Sequence, residues 1–204
     1  MINSIQAFAI PVGETLLPTS ICDQFKDADT DIGQVFNDSA PNFQFLDDYV
    51  EAKNTIIKLF EDFAEGIYGY RQDWRITSSW LTSNSEGDMM YRHNHTNCIY
   101  SGVLYPFTYA IEHPPLMLEN PIPDLSSFCL RVDKPGPLFA DYVGKHPIPT
   151  GHMIFFPSYL YHYHPSFQKT DIVRKSIAFN FFPNEDFGIN DSLFYTHENR
   201  NKKI

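Results

Sequence analysis

The segment from residue 173 to residue 182 reads Val-Arg-Lys-Ser-Ile-Ala-Phe-Asn-Phe-Phe. Successive side chains of an extended strand point to opposite faces, so this segment separates polar from apolar groups. The first face carries Arg174, Ser176, Ala178 and Asn180, and the second carries Ile177, Phe179 and Phe181. The pattern predicts a strand with one face in an apolar core, whose other face offers a guanidinium and a hydroxyl to a pocket.

Short runs of similar character precede this segment along most of the chain. They are rich in aromatic and β-branched residues and are separated by turns that contain Gly, Pro, Asn and Asp, which is typical of antiparallel strands. An aromatic content of 16% agrees with a β-rich interior. The predicted strands cover residues 5–12, 74–81, 99–107, 128–132, 138–142, 152–156 and 173–182.

Helical patterns are confined to the first third of the chain. Apolar residues recur at spacings near three and four from about residue 46 to residue 67 and predict one long amphipathic helix. A shorter helix is expected near residues 20–28. Helices followed by antiparallel strands favour a mainly β fold of the double-stranded β-helix type (jelly roll, cupin-like) with a helical buttress. An up-and-down barrel is the structural alternative.

The length of 204 residues predicts a single domain over residues 1–204. Its helical buttress would cover about 18–68, its motif-bearing core about 70–183 and its C-terminal tail 184–204. Fifteen Lys and Arg residues against 25 Asp and Glu give a formal charge of −10, which disfavours nucleic-acid binding.

Three cysteines cannot all pair within the chain, and they lack the density of a secreted scaffold. The N-terminus shows no signal-peptide pattern, and no apolar run reaches the length of a membrane span. We expect a soluble cytoplasmic protein that does not bind membranes.

Three histidines are candidate metal ligands. His93 and His95 are one residue apart, so on a strand both rings could point to one face and share an ion. His162 lies twelve residues before Arg174, a spacing that lets one strand end at the metal and its neighbour run back past the pocket. His164 precedes a proline and is expected to be a loop histidine. The remaining histidines, expected in surface or turn positions, are His113, His146, His152 and His197.

Arg174 is the candidate anion receptor. It begins an almost wholly apolar run, and a charge at the start of a buried strand must be matched. A bound carboxylate would match it through two parallel hydrogen bonds, and Ser176 could add a third donor. Asn97 and Asn180 complete the residues predicted to bind a cofactor. Aromatic residues that could line a second-substrate pocket are Tyr91, Tyr100, Tyr105 and Tyr159.

Together these segments resemble the 2-oxoglutarate and iron(II)-dependent oxygenase superfamily, and more closely its group from marine bacteria and tailed phages that carries HxH in place of HxD. The similar stretches are residues 87–105, 156–158 with His162, and 174–180. The resemblance implies a jelly roll that binds Fe(II) through His93, His95 and His162. It also implies that 2-oxoglutarate binds the metal and meets Arg174 and Ser176.

The implied reaction is a dioxygenase reaction, in which 2-oxoglutarate is decarboxylated to succinate and a second substrate is hydroxylated. That substrate could be a peptide, an amino acid, a nucleobase or a small metabolite, and the oligomeric state is open. If the protein is phage-encoded, its compartment would be the host cytoplasm.

The sequence departs from the superfamily at the position of the usual carboxylate ligand, which His95 occupies. In an alternative register Asn97 lies near that position, and His93 does not bind the metal directly but lies next to the residues that do. Two other functions compete with the oxygenase. One is a cupin-like three-histidine metalloenzyme that does not use 2-oxoglutarate, and the other is a non-catalytic β-sandwich that binds a ligand.

Overall fold

The computed structural model describes residues 9–28, 43–121 and 142–194. Within these ranges nine strands form two antiparallel sheets. The strands are β1 (Gly13–Leu16), β2 (Trp74–Asn84), β3 (Met90–His93), β4 (Tyr100–Tyr105), β5 (Met117–Leu118), β6 (Tyr142–Val143), β7 (His152–Pro157), β8 (His162–His164) and β9 (Arg174–Pro183).

The order of the strands fits a jelly roll. The five-stranded sheet has the order β1-β7-β4-β9-β2, and the four-stranded sheet has the order β3-β8-β5-β6. Apart from β5 and β6, neighbouring strands in the two sheets are not consecutive in the chain, whereas an up-and-down barrel pairs consecutive strands throughout. An apolar cluster that includes Val103, Ile154 and Phe156 of the larger sheet and Leu118 of the smaller sheet fills the space between the sheets.

The helices precede the second strand. α1 (Thr19–Cys22) is followed by a 3-10 turn at Asp23–Phe25, and α2 (Val50–Tyr68) follows a 3-10 turn at Phe45–Asp48. α2 ends where Gly69 adopts φ 72°, a left-handed conformation that glycine reaches without strain. The helix packs against the larger sheet through a row of residues four apart: Ala52, Ile56, Phe60 and Ala64.

Strand β9 has the two faces that its alternating pattern predicts. Ile177, Phe179 and Phe181 are fully buried in the cluster under α2, where the rings of Phe60 and Phe181 stack with centroids 4.0 Å apart. Arg174 lies on the opposite face, which is directed between the two sheets. A single strand therefore contributes to the aromatic core and to the interior of the roll.

Gly102 allows the aromatic core to approach strand β4. A Cβ atom at this position would lie 2.3 Å from Cε2 of Phe179 and 2.9 Å from the carbonyl oxygen of Ile154. No side chain fits there without displacing β4 from its two neighbours β7 and β9.

Several predicted elements need correction. The first strand was expected at residues 5–12, but residues 9–12 are not in a strand and β1 pairs with β7 from Gly13 onward. The helix near residues 20–28 is only one turn of α-helix and a 3-10 turn. The predicted strand at 128–132 lies outside the described residues, as does most of the strand at 138–142. The sequence patterns missed β3, β5 and β8, which are two to four residues long.

The segment after β9 packs back on its end. Phe187 and Phe194 stack with centroids 4.9 Å apart, and Phe187 contacts Phe182 of β9. Of the helices in the described residues, none is long and apolar enough to cross a membrane.

Candidate metal centre and carboxylate pocket

Three histidine side chains converge at one end of the smaller sheet. The ligand atoms of His93, His95 and His162 all lie within 4.8 Å of one another. Strands β3 and β8 place two of them opposite each other, because His93 and His162 are a paired position of the antiparallel ladder. His162 is buried, and the other two rings are partly exposed, so the cluster faces the protein interior on one side and solvent on the other.

The hydrogen bonds of these rings direct lone pairs toward the centre of the cluster. Nδ1 of His93 donates to the carbonyl of Tyr91 at 2.7 Å, and Nδ1 of His162 donates to the carbonyl of Leu160 at 3.0 Å. Because a carbonyl oxygen only accepts, both Nδ1 atoms carry the proton and both Nε2 atoms are free to bind a metal.

The spacing of the ring nitrogens suits a single ion. Nε2 of His95 lies 3.2 Å from Nε2 of His162. Two nitrogens that are each about 2.1 Å from one ion, at roughly 100° to each other, are separated by a similar distance.

Burial keeps two of the imidazoles neutral. Burial, with a smaller contribution from His93, lowers the pKa of His95 to about 4. Burial lowers the pKa of His162 to about 3, although its hydrogen bond to the Leu160 carbonyl opposes the shift. A neutral imidazole is the form that binds a metal, so protons do not compete for these two nitrogens at neutral pH.

His95 does not lie on the strand that carries His93, contrary to the expectation of a pair on one strand. β3 ends at His93, and His95 lies in the following loop, where its backbone N–H donates to the carbonyl of Ser158 at 3.0 Å. Its ring stacks on Trp80, with centroids 5.5 Å apart and planes at 23°. The loop and the tryptophan, rather than strand alternation, bring the third ring to the cluster.

Arg174 is buried among neutral groups. Only 2% of its surface is exposed. Its Nε–H donates to the carbonyl of Pro114 at 3.2 Å, Nη1 to Oδ1 of Asn84 at 3.3 Å and Nη2 to the hydroxyl of Tyr105 at 3.5 Å. Of the acidic side chains in the described residues, none forms an ion pair with it. One N–H on each terminal nitrogen remains, which is the arrangement that a carboxylate needs for two parallel hydrogen bonds.

Two hydroxyl groups accompany the guanidinium. Burial raises the pKa of Tyr105, so its hydroxyl is protonated, and because its oxygen accepts from Arg174 its hydrogen is available to a ligand. Sequence reasoning included Tyr105 only among four candidate tyrosines. The hydroxyl oxygens of Ser176 and Thr82 are 2.7 Å apart. The single hydroxyl hydrogen of Thr82 is donated to the backbone carbonyl of Ser176 at 3.1 Å, so Ser176 donates to Thr82 in this pair, and a bound ligand can replace Thr82 as the acceptor.

Strand β8 joins the histidine cluster to the arginine. His164 follows His162 by two residues on the same face of the strand, and it is buried rather than in an exposed loop as expected. Burial, and next the charge of Arg174, lower the pKa of His164 to about 4. The triad and the arginine therefore belong to one continuous region between the sheets.

Other predicted positions have different surroundings. Asn180 is six residues from Arg174 along β9, roughly 20 Å in an extended strand. Its amide oxygen accepts from the Ser101 hydroxyl at 2.8 Å, and its amide nitrogen donates to the Ser78 hydroxyl at 3.0 Å, so it is not beside the guanidinium. Asn97 is exposed in the loop after His95 with φ 60°. His113 and His152 are buried, contrary to the expectation of surface or turn positions.

The four candidate tyrosines also separate. Tyr100 belongs to the core under α2, Tyr105 contacts the arginine, and Tyr91 and Tyr159 are exposed. The loop that carries Tyr159 borders the cluster, because the side chain of Asn94 donates to the Tyr159 carbonyl at 3.4 Å.

Family comparison agrees with this site. The model of the family described as "Putative 2OG-Fe(II) oxygenase" matches residues 78–180, which include the three histidines and Arg174. The match covers half of the chain, and the protein belongs to this family. No curated protein matches the chain in sequence. Membership favours neither the cupin-like enzyme without 2-oxoglutarate nor the non-catalytic β-sandwich.

Solved structures share the fold at low sequence identity. HygX from Streptomyces hygroscopicus in its apo form has a TM-score of 0.52 and 12% identity, with 86% of this chain and 83% of HygX covered. The same protein with nickel and 2-oxoglutarate bound has a TM-score of 0.51, with the same identity and coverage.

An oxidoreductase of the 2OG-Fe(II) oxygenase family from Burkholderia pseudomallei has a TM-score of 0.47 and 12% identity. The match covers 65% of this chain and 56% of that protein. The likeness to HygX concerns the architecture, and the residues of the site are those of this chain.

Proposed function

We propose that this protein is an iron(II)- and 2-oxoglutarate-dependent dioxygenase that hydroxylates a second substrate. The observation that carries the proposal is the presence, in one region between the sheets, of a three-histidine cluster and a buried arginine that lacks an ionic partner among the described residues. Family membership supports the same activity.

In this proposal His93, His95 and His162 hold the metal through their Nε2 atoms. Iron(II) bound there, together with 2-oxoglutarate and oxygen, supplies the oxidising chemistry that releases succinate and carbon dioxide and hydroxylates a C–H bond. Arg174 receives the distal carboxylate of 2-oxoglutarate through its two unused N–H groups, and Tyr105 and Ser176 donate beside it. Trp80 limits the rotation of the His95 ring and keeps water from one of its faces.

The charge of the cluster predicts that metal and cosubstrate bind cooperatively. Three neutral imidazoles leave the +2 charge of the metal uncompensated by protein, whereas doubly anionic 2-oxoglutarate brings the site near neutrality. We expect iron(II) to bind more tightly when 2-oxoglutarate is present, and by linkage 2-oxoglutarate to bind more tightly when iron(II) is present.

Anaerobic calorimetry with iron(II) and 2-oxoglutarate, followed by measurement of succinate after oxygen is added, tests the activity. We expect 2-oxoglutarate binding that depends on iron(II), and succinate release that His162→Ala abolishes. The proposal is wrong if the iron-loaded wild-type protein neither binds 2-oxoglutarate nor releases succinate.

The role of His95 is tested with His95→Asp, which restores the carboxylate that the superfamily usually carries. If His95 is a ligand, the aspartate retains metal binding and weakens the coupling between metal and cosubstrate, because the protein now supplies one negative charge. His95→Ala should lose most metal affinity. In the alternative register Asn97→Ala would instead cause that loss, and its exposed position leads us to expect little change.

A further inference from the structure

His113 lies outside the histidine cluster and has no exposed surface. It is in the connection between β4 and β5, and its ring packs edge-on against Phe167 and Tyr109, with centroids 5.2 and 6.0 Å away. A polar ring without solvent contact must satisfy both of its nitrogens within the protein. The partners of these two nitrogens show what His113 holds together.

Both ring nitrogens bind the main chain. Nδ1 accepts the backbone N–H of Ala110 at 3.3 Å, so this nitrogen is unprotonated and Nε2 carries the hydrogen. Nε2 donates to the carbonyl of Ile172 at 2.9 Å and lies 3.1 Å from the hydroxyl oxygen of Thr170. His113 thereby links the 110–115 loop to the segment that leads into β9.

One of the linked segments contacts Arg174, and the other leads into it. Pro114, the residue after His113, provides the carbonyl that accepts the Nε–H of Arg174 at 3.2 Å. Ile172 precedes Arg174 by two residues in the chain. The imidazole of His113 therefore ties the start of the arginine's strand to the carbonyl that fixes the orientation of its guanidinium.

We propose that His113 is a positioning residue for the carboxylate pocket. By holding the Pro114 carbonyl on Nε, it leaves the free N–H groups of Nη1 and Nη2 directed at the ligand, and it acts on the cosubstrate only through Arg174. This inference rests on the proposed function. A displacement of about 1 Å in a binding group can change a rate or an affinity by about 100-fold, so loss of this link should be measurable.

His146 provides a matched control. Its Nε2 donates to the carbonyl of Ile111 at 2.7 Å, so it also binds the 110–115 loop through an imidazole, but it is exposed and this bond joins neither Ile172 nor Pro114. His113→Phe and His146→Phe each remove one imidazole from the same loop and retain an aromatic ring. Only the first breaks the connection to Ile172.

The experiment measures the dissociation constants of iron(II) and of 2-oxoglutarate separately, the second with iron(II) present. We expect His113→Phe to weaken 2-oxoglutarate about 10- to 100-fold and to change iron(II) binding without cosubstrate less than about twofold. His146→Phe should change neither constant more than about twofold. Equal losses of both ligands, or unchanged 2-oxoglutarate affinity in folded His113→Phe, would overturn the inference.

Two amide substitutions keep the test decisive if His113→Phe does not fold. The amide nitrogen of His113→Gln can reach the position of Nε2 and restore the bond to Ile172, whereas His113→Asn reaches only the position of Nδ1. The inference requires the His113→Gln variant to bind 2-oxoglutarate more tightly than the His113→Asn variant. The opposite order or equal affinities would refute it.

A double-mutant cycle with Arg174→Gln separates positioning from general stabilisation. If His113 acts through the arginine, removing the imidazole in the Arg174→Gln background should not weaken residual 2-oxoglutarate binding further, and an undiminished second loss would contradict this. Failure of the wild-type protein to bind 2-oxoglutarate refutes the proposed function itself. Normal wild-type binding that every His113 variant retains refutes only the role of His113.

Discussion

The two faces of strand β9 differ in what surrounds them. On one face Ile177, Phe179 and Phe181 pack against the helix α2 and the neighbouring strands, with no exposed surface. On the other face Arg174 is as deeply buried, yet all of its hydrogen-bond partners in the described residues are neutral. The first face is complete without a ligand, whereas the second has hydrogen-bond donors left over.

This difference predicts that stability and ligand binding depend on opposite faces of a single strand. Burial of aromatic rings stabilises the fold, and a buried guanidinium without an ionic partner opposes it unless a ligand supplies the charge. Substitutions on the two faces should therefore change different measured quantities.

Phe181→Ala should have the largest effect. It removes a ring stacked on Phe60 and in contact with Phe155, and we expect the free energy of unfolding to fall by about 3–5 kcal/mol. Urea unfolding measures this change. Ile189→Ala, at a position that is 76% exposed, should stay within about 0.5 kcal/mol of wild type. A small loss for Phe181→Ala would mean that the apolar face is not what holds the fold.

Arg174→Gln should act mainly on the ligand. We expect 2-oxoglutarate binding to weaken by about 2–5 kcal/mol, because the carboxylate loses its charged partner, while iron(II) binding is retained. Calorimetry of both ligands measures the two effects. Lys175→Gln changes an adjacent charge on the opposite face and serves as the control. Equal loss of cosubstrate affinity in both variants would show that general charge, not the buried guanidinium, binds 2-oxoglutarate.

Ser101→Ala tests whether the face of the larger sheet that carries Arg174 also contributes to stability. Ser101 lies on β4, opposite Asn180 of β9. The Ser101 hydroxyl donates to Asn180 and lies 2.8 Å from the hydroxyl of Ser158 in a buried network. Its removal leaves partners unsatisfied and should lower the free energy of unfolding by about 1–3 kcal/mol. Cosubstrate affinity in the folded variant should change little. An unchanged unfolding midpoint would mean that water replaces the hydroxyl.

The pH dependence of the metal-free protein should show the smallest effect. His162 and His164 have pKa values lowered by burial to about 3 and about 4, whereas a histidine in the unfolded chain has its ordinary value near 6.5. Below that pH the unfolded state binds more protons than the folded state, so stability falls as the pH drops toward the folded values.

Each of these two histidines should contribute less than about 1 kcal/mol between pH 7 and pH 6. Urea titrations at a series of pH values measure the slope, and His164→Leu, in which one of the two groups is absent, should show a shallower one. A stability that rises as the pH drops below 6.5 would contradict the burial of neutral imidazoles.

The sequence could predict the features that depend on local periodicity. β9 is long enough for its alternation to be read, and the order of His93, His162 and Arg174 indicated a metal ligand set followed by an anion receptor. Strands β3 and β8 were missed because four and three residues cannot show a period. Without these strands, the register that opposes His93 and His162 could not be derived.

Contacts between residues that are distant in the sequence could not be predicted either. The ring of His113 bonds to Ile172, 59 positions away, and Tyr105 contacts Arg174, 69 positions away. No local pattern encodes these contacts. A histidine before a proline in a polar connector resembles a surface turn residue, and only the fold shows that two main-chain segments close around it.

The position of His95 outside the β3–β8 ladder has a consequence for how such a site can diversify. Its backbone is fixed by one hydrogen bond to Ser158, so the side chain can change in length and charge without altering the pairing of His93 with His162. A single substitution there exchanges a neutral side chain for an anionic one while the sheet remains intact. The third position of the cluster can thus change independently of the strands that position the other two histidines.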